Sequence, residues 1–154
     1  MRNFNNQIMR NIIKPFEKVG ELKFGMDRNS INNRLNTKFE PIFEKTLGGV
    51  EFVTDHYDNL GVMLGYFTKD FKLSYVVLSD PCEAIFEGED LLAKTYSECL
   101  EFMKQFDSDI EEEEYVGFTS YKLGIAIYAP NATDDPDCNI EAVTVGEVGY
   151  FQRT

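Results

Sequence analysis

The sequence contains no tryptophan, a single histidine and only three cysteines among its 154 residues. Cys82, Cys99 and Cys138 are odd in number, far apart and without any C-x-x-C pair. This spacing matches neither a disulfide framework nor a zinc motif, so we expect a reducing compartment and no metal site. None of the cysteines has a local catalytic signature, and no other motif identifies a reaction, so we also expect a protein that is not an enzyme and needs no cofactor.

Long hydrophobic runs are absent as well. No window approaches the roughly 18 apolar residues of a membrane span, and the first residues lack the apolar core and cleavage site of a signal peptide. The glycines form neither a G-x-G-x-x-G nor a P-loop pattern, which leaves nucleotide binding without support. We therefore expect a cytoplasmic protein.

Positive charge is scarce. The chain has 15 Lys and Arg against 27 Asp and Glu, a formal net charge of -12. Residues 1–79 carry 11 basic and 9 acidic side chains (+2), whereas residues 80–154 carry 4 basic and 18 acidic ones (-14). Because such a charge repels phosphate backbones, it argues against nucleic-acid binding and favours a cationic protein partner.

The strongest concentration of charge is the run from Asp107 to Glu114, with six carboxylates in eight residues. It could be a solvated loop that keeps the protein soluble, or an interaction surface whose self-repulsion a cationic partner relieves. The second reading gives a set of candidate partner-binding residues, joined by three aspartates from a later loop: Asp107, Asp109, Glu111, Glu112, Glu113, Glu114, Asp134, Asp135 and Asp137.

Two other motifs are weaker. His56 lies between Asp55 and Asp58 and could act as a general base. In a strand, however, the side chain of Asp55 points to the opposite face, which favours an ordinary histidine. The segment 135–141 offers oxygens at alternate positions, as a calcium loop does, but Ile140 stands where the EF-hand turn needs glycine, which favours a solvated loop.

Hydrophobic periodicity predicts three helical segments in the chain. A stripe over residues 3–14 indicates a first helix that Pro15 ends. Asp27 is placed to cap a short helix through Ile31 to Leu35, after a short strand over residues 19–24. The apolar positions of residues 90–106 recur at helical spacing and give the clearest helix.

Alternating patterns predict the strands. Residues 52–57, 61–67 and 71–78 indicate an antiparallel meander, with further strands at 83–86, 115–118, 121–128 and 140–145. Residues 36–50 show no sustained period and indicate a loop that could hold a short strand at Ile42 and Phe43. The expected fold is a single α+β domain over residues 1–154, with an antiparallel sheet of about six strands and two main helices.

The stretch from Val19 to Leu35, with Gly25-Met26 before a short helix, resembles the opening of many small bacterial domains. The later order of strands and helix, through the segment Tyr121 to Tyr128, is similar to immunity-type proteins found beside polymorphic or contact-dependent toxins. This resemblance implies a toxin-binding function without a shared catalytic motif, and it assigns no functional residue.

Charge, size and resemblance together favour a cytoplasmic immunity protein that binds and neutralises a cognate, basic, nuclease-type toxin domain. Two alternatives stay open. An acidic surface could mimic DNA and occupy nucleic-acid-binding proteins in general, or the chain could be a small enzyme that uses His56.

Overall fold

The computed structural model describes residues 10–152 and shows an α+β fold. Over these residues there are two α-helices, α1 (Arg28–Leu35) and α2 (Tyr96–Lys104), and short 3₁₀ turns at Leu91–Ala93 and Pro130–Thr133. The strands are β1 (Arg10–Lys14), β2 (Lys18–Val19), β3 (Leu22–Lys23), β4 (Glu40–Lys45), β5 (Glu51–Tyr57), β6 (Val62–Phe67), β7 (Leu73–Leu78), β8 (Glu83–Phe86), β9 (Glu89–Asp90), β10 (Glu111–Glu113), β11 (Gly117–Ser120), β12 (Ile125–Tyr128) and β13 (Ala142–Gly146).

The strands form two sheets, not the single sheet of about six strands that the sequence predicts. The larger sheet has eight strands in the order β10-β11-β12-β13-β7-β6-β5-β4, all antiparallel. The smaller has the order β3-β2-β1-β8-β9, and in it β1 and β8 run parallel. The predicted meander is confirmed as β5, β6 and β7. Short turns join these strands, so a local sequence pattern was enough to predict their pairing.

The predicted N-terminal helix is wrong over residues 10–14, which form β1; residues 3–9 of that prediction lie outside the described residues. Asn11 and Ile13 are buried while Ile12 between them is exposed, so the side chains alternate as in a strand. The pairing partner β8 lies about seventy residues further along, in register Asn11 with Ala84. A distant partner therefore overrides a local helical pattern.

The predicted strand over residues 19–24 is also replaced, by the two short strands β2 and β3 with a turn at Gly20 and Glu21. The cap of α1 is confirmed: the Asp27 side chain accepts a hydrogen bond from the Asn29 N–H at 3.1 Å. Asn36 ends this helix in a left-handed conformation.

The helix predicted over residues 90–106 begins later than expected. Its first part is the 3₁₀ turn Leu91–Ala93, and α2 starts after Thr95, where a capping box forms with Glu98. The Thr95 hydroxyl accepts from the Glu98 N–H, and the Glu98 carboxylate accepts from the Thr95 N–H. Phe106 lies beyond the helix end and is half-buried.

The buried apolar side chains of both sheets and both helices form one hydrophobic cluster in the described part of the chain. In the six inner strands of the larger sheet, side chains on one face enter this cluster and those on the other lie on the outer face, whereas the edge strands β4 and β10 contain no buried residue. Cross-strand register aligns His56, Met63, Val77, Thr144 and Ala126 along that outer face. No helix among residues 10–152 is long and apolar enough to cross a membrane.

Candidate functional site

The acidic run begins with a carboxylate that serves the fold. Asp107 is only 3% exposed, and its Oδ2 accepts a hydrogen bond from the Ser120 hydroxyl at 2.7 Å. Its Oδ1 accepts from the Asp109 N–H at 2.9 Å. Asp107 therefore joins the end of α2 to β11 and does not present its charge at the surface, whereas Asp109 is exposed.

The next part of the run forms the edge of the larger sheet. Glu111, Glu112 and Glu113 make up β10, which pairs with β11 in register Glu112 with Phe118. The strand predicted at residues 115–118 is therefore misplaced: residues 114–116 form the turn, and β11 begins at Gly117. A Cβ at Gly117 would lie 1.8 Å from the Ile127 carbonyl oxygen, so this tight passage needs glycine.

One carboxylate of β10 is tied to α2. The Tyr96 hydroxyl donates to Glu112 Oε1 at 2.8 Å, and burial together with this carboxylate raises the pKa of Tyr96 above its usual value. Glu113 and Glu114 are exposed. A carboxylate-bearing edge strand also discourages pairing with other chains, which is a structural role for the same charges.

The second group of aspartates lies in the loop after β12. Ser97, at the start of α2, donates its hydroxyl to Asp137 Oδ1 at 2.9 Å and its N–H to the Pro136 carbonyl at 2.9 Å. Asp135 Oδ1 accepts from the Asp137 N–H at 3.1 Å. These bonds hold the loop against α2, on the side where β10 also contacts that helix.

A surface cavity of about 370 Å³ lies where these elements meet, and we call it the acidic groove. Its apolar lining includes Leu100, Ala129, Ala132 and Pro136, and its carboxylates are Glu112, Glu113 and Glu114. Thr133 also lines it, and its Oγ1 accepts from the Tyr115 N–H at 2.7 Å. Asp134, Asp135 and Asp137 belong to the same loop and are exposed. The structure thus places three of the nine predicted acidic residues, Glu112, Glu113 and Glu114, in the lining of the groove, and three more, Asp134, Asp135 and Asp137, on the loop that borders it.

An apolar surface adjoins the acidic groove, and sequence reasoning did not find it. A second cavity of about 330 Å³ on the outer face of the larger sheet shares Glu113 and Gly117 with the groove. Tyr128 and Val116 line it and are exposed, as is the neighbouring Tyr115. The sequence did contain a signal for it: Ile125 and Ile127 in β12 are buried, and because side chains alternate along a strand, Tyr128 lies on the outer face.

His56 lies apart from these features. It is half-buried in β5, opposite Glu40 and Met63, and lines a cavity of about 200 Å³ together with Glu40 and Asp58. Asp55 lies on the other face, paired with Arg28. Within residues 10–152, no hydrogen bond joins His56 to a carboxylate or a thiol.

Two of the three cysteines are unsuited to act as a nucleophile with His56. Cys82 and Cys99 are buried, and burial raises the pKa of each thiol to about 12. The Cys82 thiol donates to the Leu60 carbonyl at 2.9 Å. In the described part of the chain, no three His, Cys, Asp or Glu side chains group as metal ligands do.

Comparisons with protein-family models, with curated proteins and with solved structures found no match for this chain. The resemblance to immunity-type proteins therefore stays a prediction, and function has to be argued from the surface itself.

Proposed function

We propose that this protein is a cytoplasmic immunity protein that binds and neutralises a cognate, cationic, nuclease-type toxin domain through the acidic groove. One observation carries the proposal: β10 and the loop 133–137, which are separate in sequence, meet around a single cavity with an apolar lining and carboxylates at its edge. An apolar centre with a charged rim is the usual anatomy of a protein interface.

Charge supports a cationic partner. Residues 80–154 carry 18 acidic against 4 basic side chains, and the groove belongs wholly to this half. Complementary fields raise association rate constants to about 10⁸–10⁹ M⁻¹s⁻¹ at low salt. A fast encounter suits a protector that must reach a nuclease before the nuclease reaches DNA or RNA.

The apolar surface beside the groove supports a specific partner over general DNA mimicry. Tyr115, Val116 and Tyr128 are exposed next to Glu113 and offer side chains that a phosphate backbone does not imitate. Aromatic side chains of this kind are frequent energetic centres of interfaces. Charges would then steer the encounter, while the aromatic contacts would hold the complex.

The first test measures association with the toxin domain encoded next to this reading frame, over a range of ionic strength. Replacing Glu113 and Glu114 by Gln should slow association and flatten its salt dependence, because steering needs unscreened charge. Glu112 is left in place because it accepts from Tyr96. A control with Glu44→Gln and Glu87→Gln changes the net charge equally at exposed sites that do not line the groove, and Glu44 lies in β4, at the opposite end of the larger sheet. Equal association rate constants in the two double variants would show that the acidic groove is not the surface that steers the toxin domain.

The second test separates anchoring from steering. Tyr128→Ala should raise the dissociation rate and cost about 2 kcal/mol or more of binding free energy, with little change in the on-rate. Inhibition of the nuclease should weaken in parallel. The immunity proposal is overturned if the wild-type protein neither binds nor inhibits the toxin domain encoded next to it. It is also overturned if the protein binds unrelated DNA-binding proteins equally well.

A further inference from the structure

The opposite edge of the larger sheet carries a second apolar surface, which is unrelated to the acidic groove. Strand β4 ends the sheet, and within residues 10–152 its one neighbouring strand is β5. All six residues of β4 are exposed, and Phe43 has 60% of its surface accessible. Leu47 and Val50, in the adjoining hairpin turn, are exposed as well, whereas Ile42 lies on the opposite face from Phe43 because neighbouring residues of a strand alternate.

The backbone of β4 is also open on this side. The Thr46 N–H donates to the Val50 carbonyl at 2.9 Å, so the backbone N–H and C=O of Thr46 point toward the β5 side of the hairpin. In an antiparallel pair the hydrogen-bonding residues alternate, which turns the backbone groups of Pro41, Phe43 and Lys45 toward the free edge. Pro41 has no N–H, but Phe43 and Lys45 offer both a donor and an acceptor. Such an edge accepts another strand only in registers that avoid opposing its like charges, because Pro41 and the charges of Glu40, Glu44 and Lys45 restrict the pairing.

We propose that β4 pairs antiparallel with β4 of a second copy of this chain and so joins two eight-stranded sheets in a symmetric dimer. A two-fold axis through the paired strands runs perpendicular to the sheet and keeps each face on the same side. Residues that oppose each other must therefore be both even-numbered or both odd-numbered. The axis then passes midway between one residue and the same residue of the second copy.

Charge selects the position of that axis. With the axis at Phe43, each Phe43 lies beside the Phe43 of the second copy, Pro41 opposes Lys45, and Glu40 opposes Thr46. The Phe43 N–H groups then bond the opposing Phe43 carbonyls, and each Lys45 N–H meets a Pro41 carbonyl. With the axis at Ile42, Glu40 would oppose Glu44 twice, which is unfavourable. The register centred on Phe43 is therefore preferred.

The net charge of the chain does not oppose contact at this edge. Residues 38–51 carry two lysines and three glutamates, a nearly balanced set. The acidic strand β10 is the other end of the same sheet, seven strand spacings away. At about 4.8 Å per spacing this is about 34 Å along the sheet, several times the Debye length of about 8 Å at physiological salt. Self-pairing therefore leaves both acidic grooves free, and it does not depend on the proposed function.

The test is the mass of the full chain in solution, measured by sedimentation velocity over a range of concentrations. We expect a reversible dimer that Phe43→Lys weakens at least tenfold, because the variant places two like charges side by side. Val148→Lys is the matched control, since Val148 is a 76% exposed apolar residue elsewhere and the charge change is the same. A monomer at every concentration, or equal weakening by both variants, overturns the proposal.

Cysteine cross-linking tests the register. In a Cys138→Ser background, Phe43→Cys should form a covalent dimer on mild oxidation, because hydrogen-bonded partners lie about 5.5 Å apart at Cα, within disulfide range. Leu47 is more exposed than Phe43 but lies far from its symmetry mate in this register, so the Leu47→Cys variant should stay monomeric in non-reducing electrophoresis. Equal cross-linking at both positions means non-specific association. If Phe43→Lys instead weakens toxin binding by a monomeric chain, the edge belongs to that partner and the dimer is rejected.

Discussion

Arg28 and Asp55 join the first turn of α1 to the middle of β5 through a two-pronged ion pair. Arg28 donates from Nε to Asp55 Oδ2 and from Nη2 to Oδ1, each at 2.8 Å. The Asp55 side chain is 0% exposed and that of Arg28 is 19% exposed. The hydrogen bonds to Asp55 raise the pKa of Arg28 above its usual value. The carboxylate next to His56 in sequence thus neutralises an arginine on the other face of the sheet.

Removing the arginine should be costly, because it leaves a charged carboxylate buried without its partner. We expect Arg28→Gln to lower the free energy of unfolding by about 3–5 kcal/mol, measured by urea denaturation. Arg34→Gln, on the same helix, breaks a 3.8 Å contact between the half-exposed side chains of Arg34 and Glu21. It should cost about 1 kcal/mol or less. Similar losses in the two variants would contradict this account of the pair.

Two buried tyrosines should respond in opposite ways to loss of the hydroxyl. The Tyr57 hydroxyl donates to Asn32 Oδ1, whereas the buried Tyr66 hydroxyl has no hydrogen-bond partner among the described residues. Tyr57→Phe should therefore cost about 1 kcal/mol, and Tyr66→Phe should be neutral or stabilising by up to about 1 kcal/mol. Chemical denaturation of both variants checks this. A loss in Tyr66→Phe as large as in Tyr57→Phe would contradict it.

Local signals were enough for part of the fold. Asp27 caps α1 because its short side chain reaches the helix N–H groups two residues on. The meander β5–β7 follows from alternating apolar residues and short polar turns. The pattern Thr95-x-x-Glu98 is an equally local signal, and it would have placed the start of α2 correctly.

Other parts depend on contacts that a linear pattern does not contain. Strand β1 exists because β8, far along the chain, pairs with it. The acidic run is evident from composition, but the burial of Asp107 depends on Ser120. The approach of the loop at Asp137 to β10 likewise depends on Ser97, which fastens that loop to α2. Composition therefore predicts that carboxylates are present, and only tertiary contacts decide which of them reach the surface together.

Gly65 leaves room for the ring of Tyr75 on the outer face of the sheet. A Cβ there would lie 1.9 Å from the ring of Tyr75, which is held between the Thr54 hydroxyl and the ring of Tyr150, 4.7 Å away between centroids. Because the ring cannot move aside freely, Gly65→Ala should cost about 1–3 kcal/mol.

Gly48→Ala is the control for this prediction. The nearest atom to a Cβ at Gly48 is Thr46 Oγ1 at 3.8 Å, an ordinary contact. Its effect should be neutral or slightly stabilising through the unfolded chain. Thermal unfolding of the two variants gives the comparison, and a stable Gly65→Ala protein would mean that Tyr75 is free to leave the glycine.

Ionisation of buried tyrosines should limit stability at high pH. Burial raises the pKa of Tyr150 to about 12, and it also raises the pKa values of Tyr57, Tyr66, Tyr75 and Tyr96. In the unfolded chain a tyrosine ionises near pH 10. Since the folded pKa is the higher one, the contribution to stability is complete below about pH 10 and is lost as the pH rises toward about 12.

The free energy of unfolding should therefore fall steeply above about pH 10. Tyr150→Phe keeps the ring against Tyr75 but removes one titrating group, so it should reduce that slope by up to about 1.4 kcal/mol per pH unit. Urea denaturation of the wild-type and variant proteins at a series of alkaline pH values measures both slopes, and groups common to the two proteins cancel. Identical slopes would show that Tyr150 ionises in the folded protein as readily as in the unfolded chain.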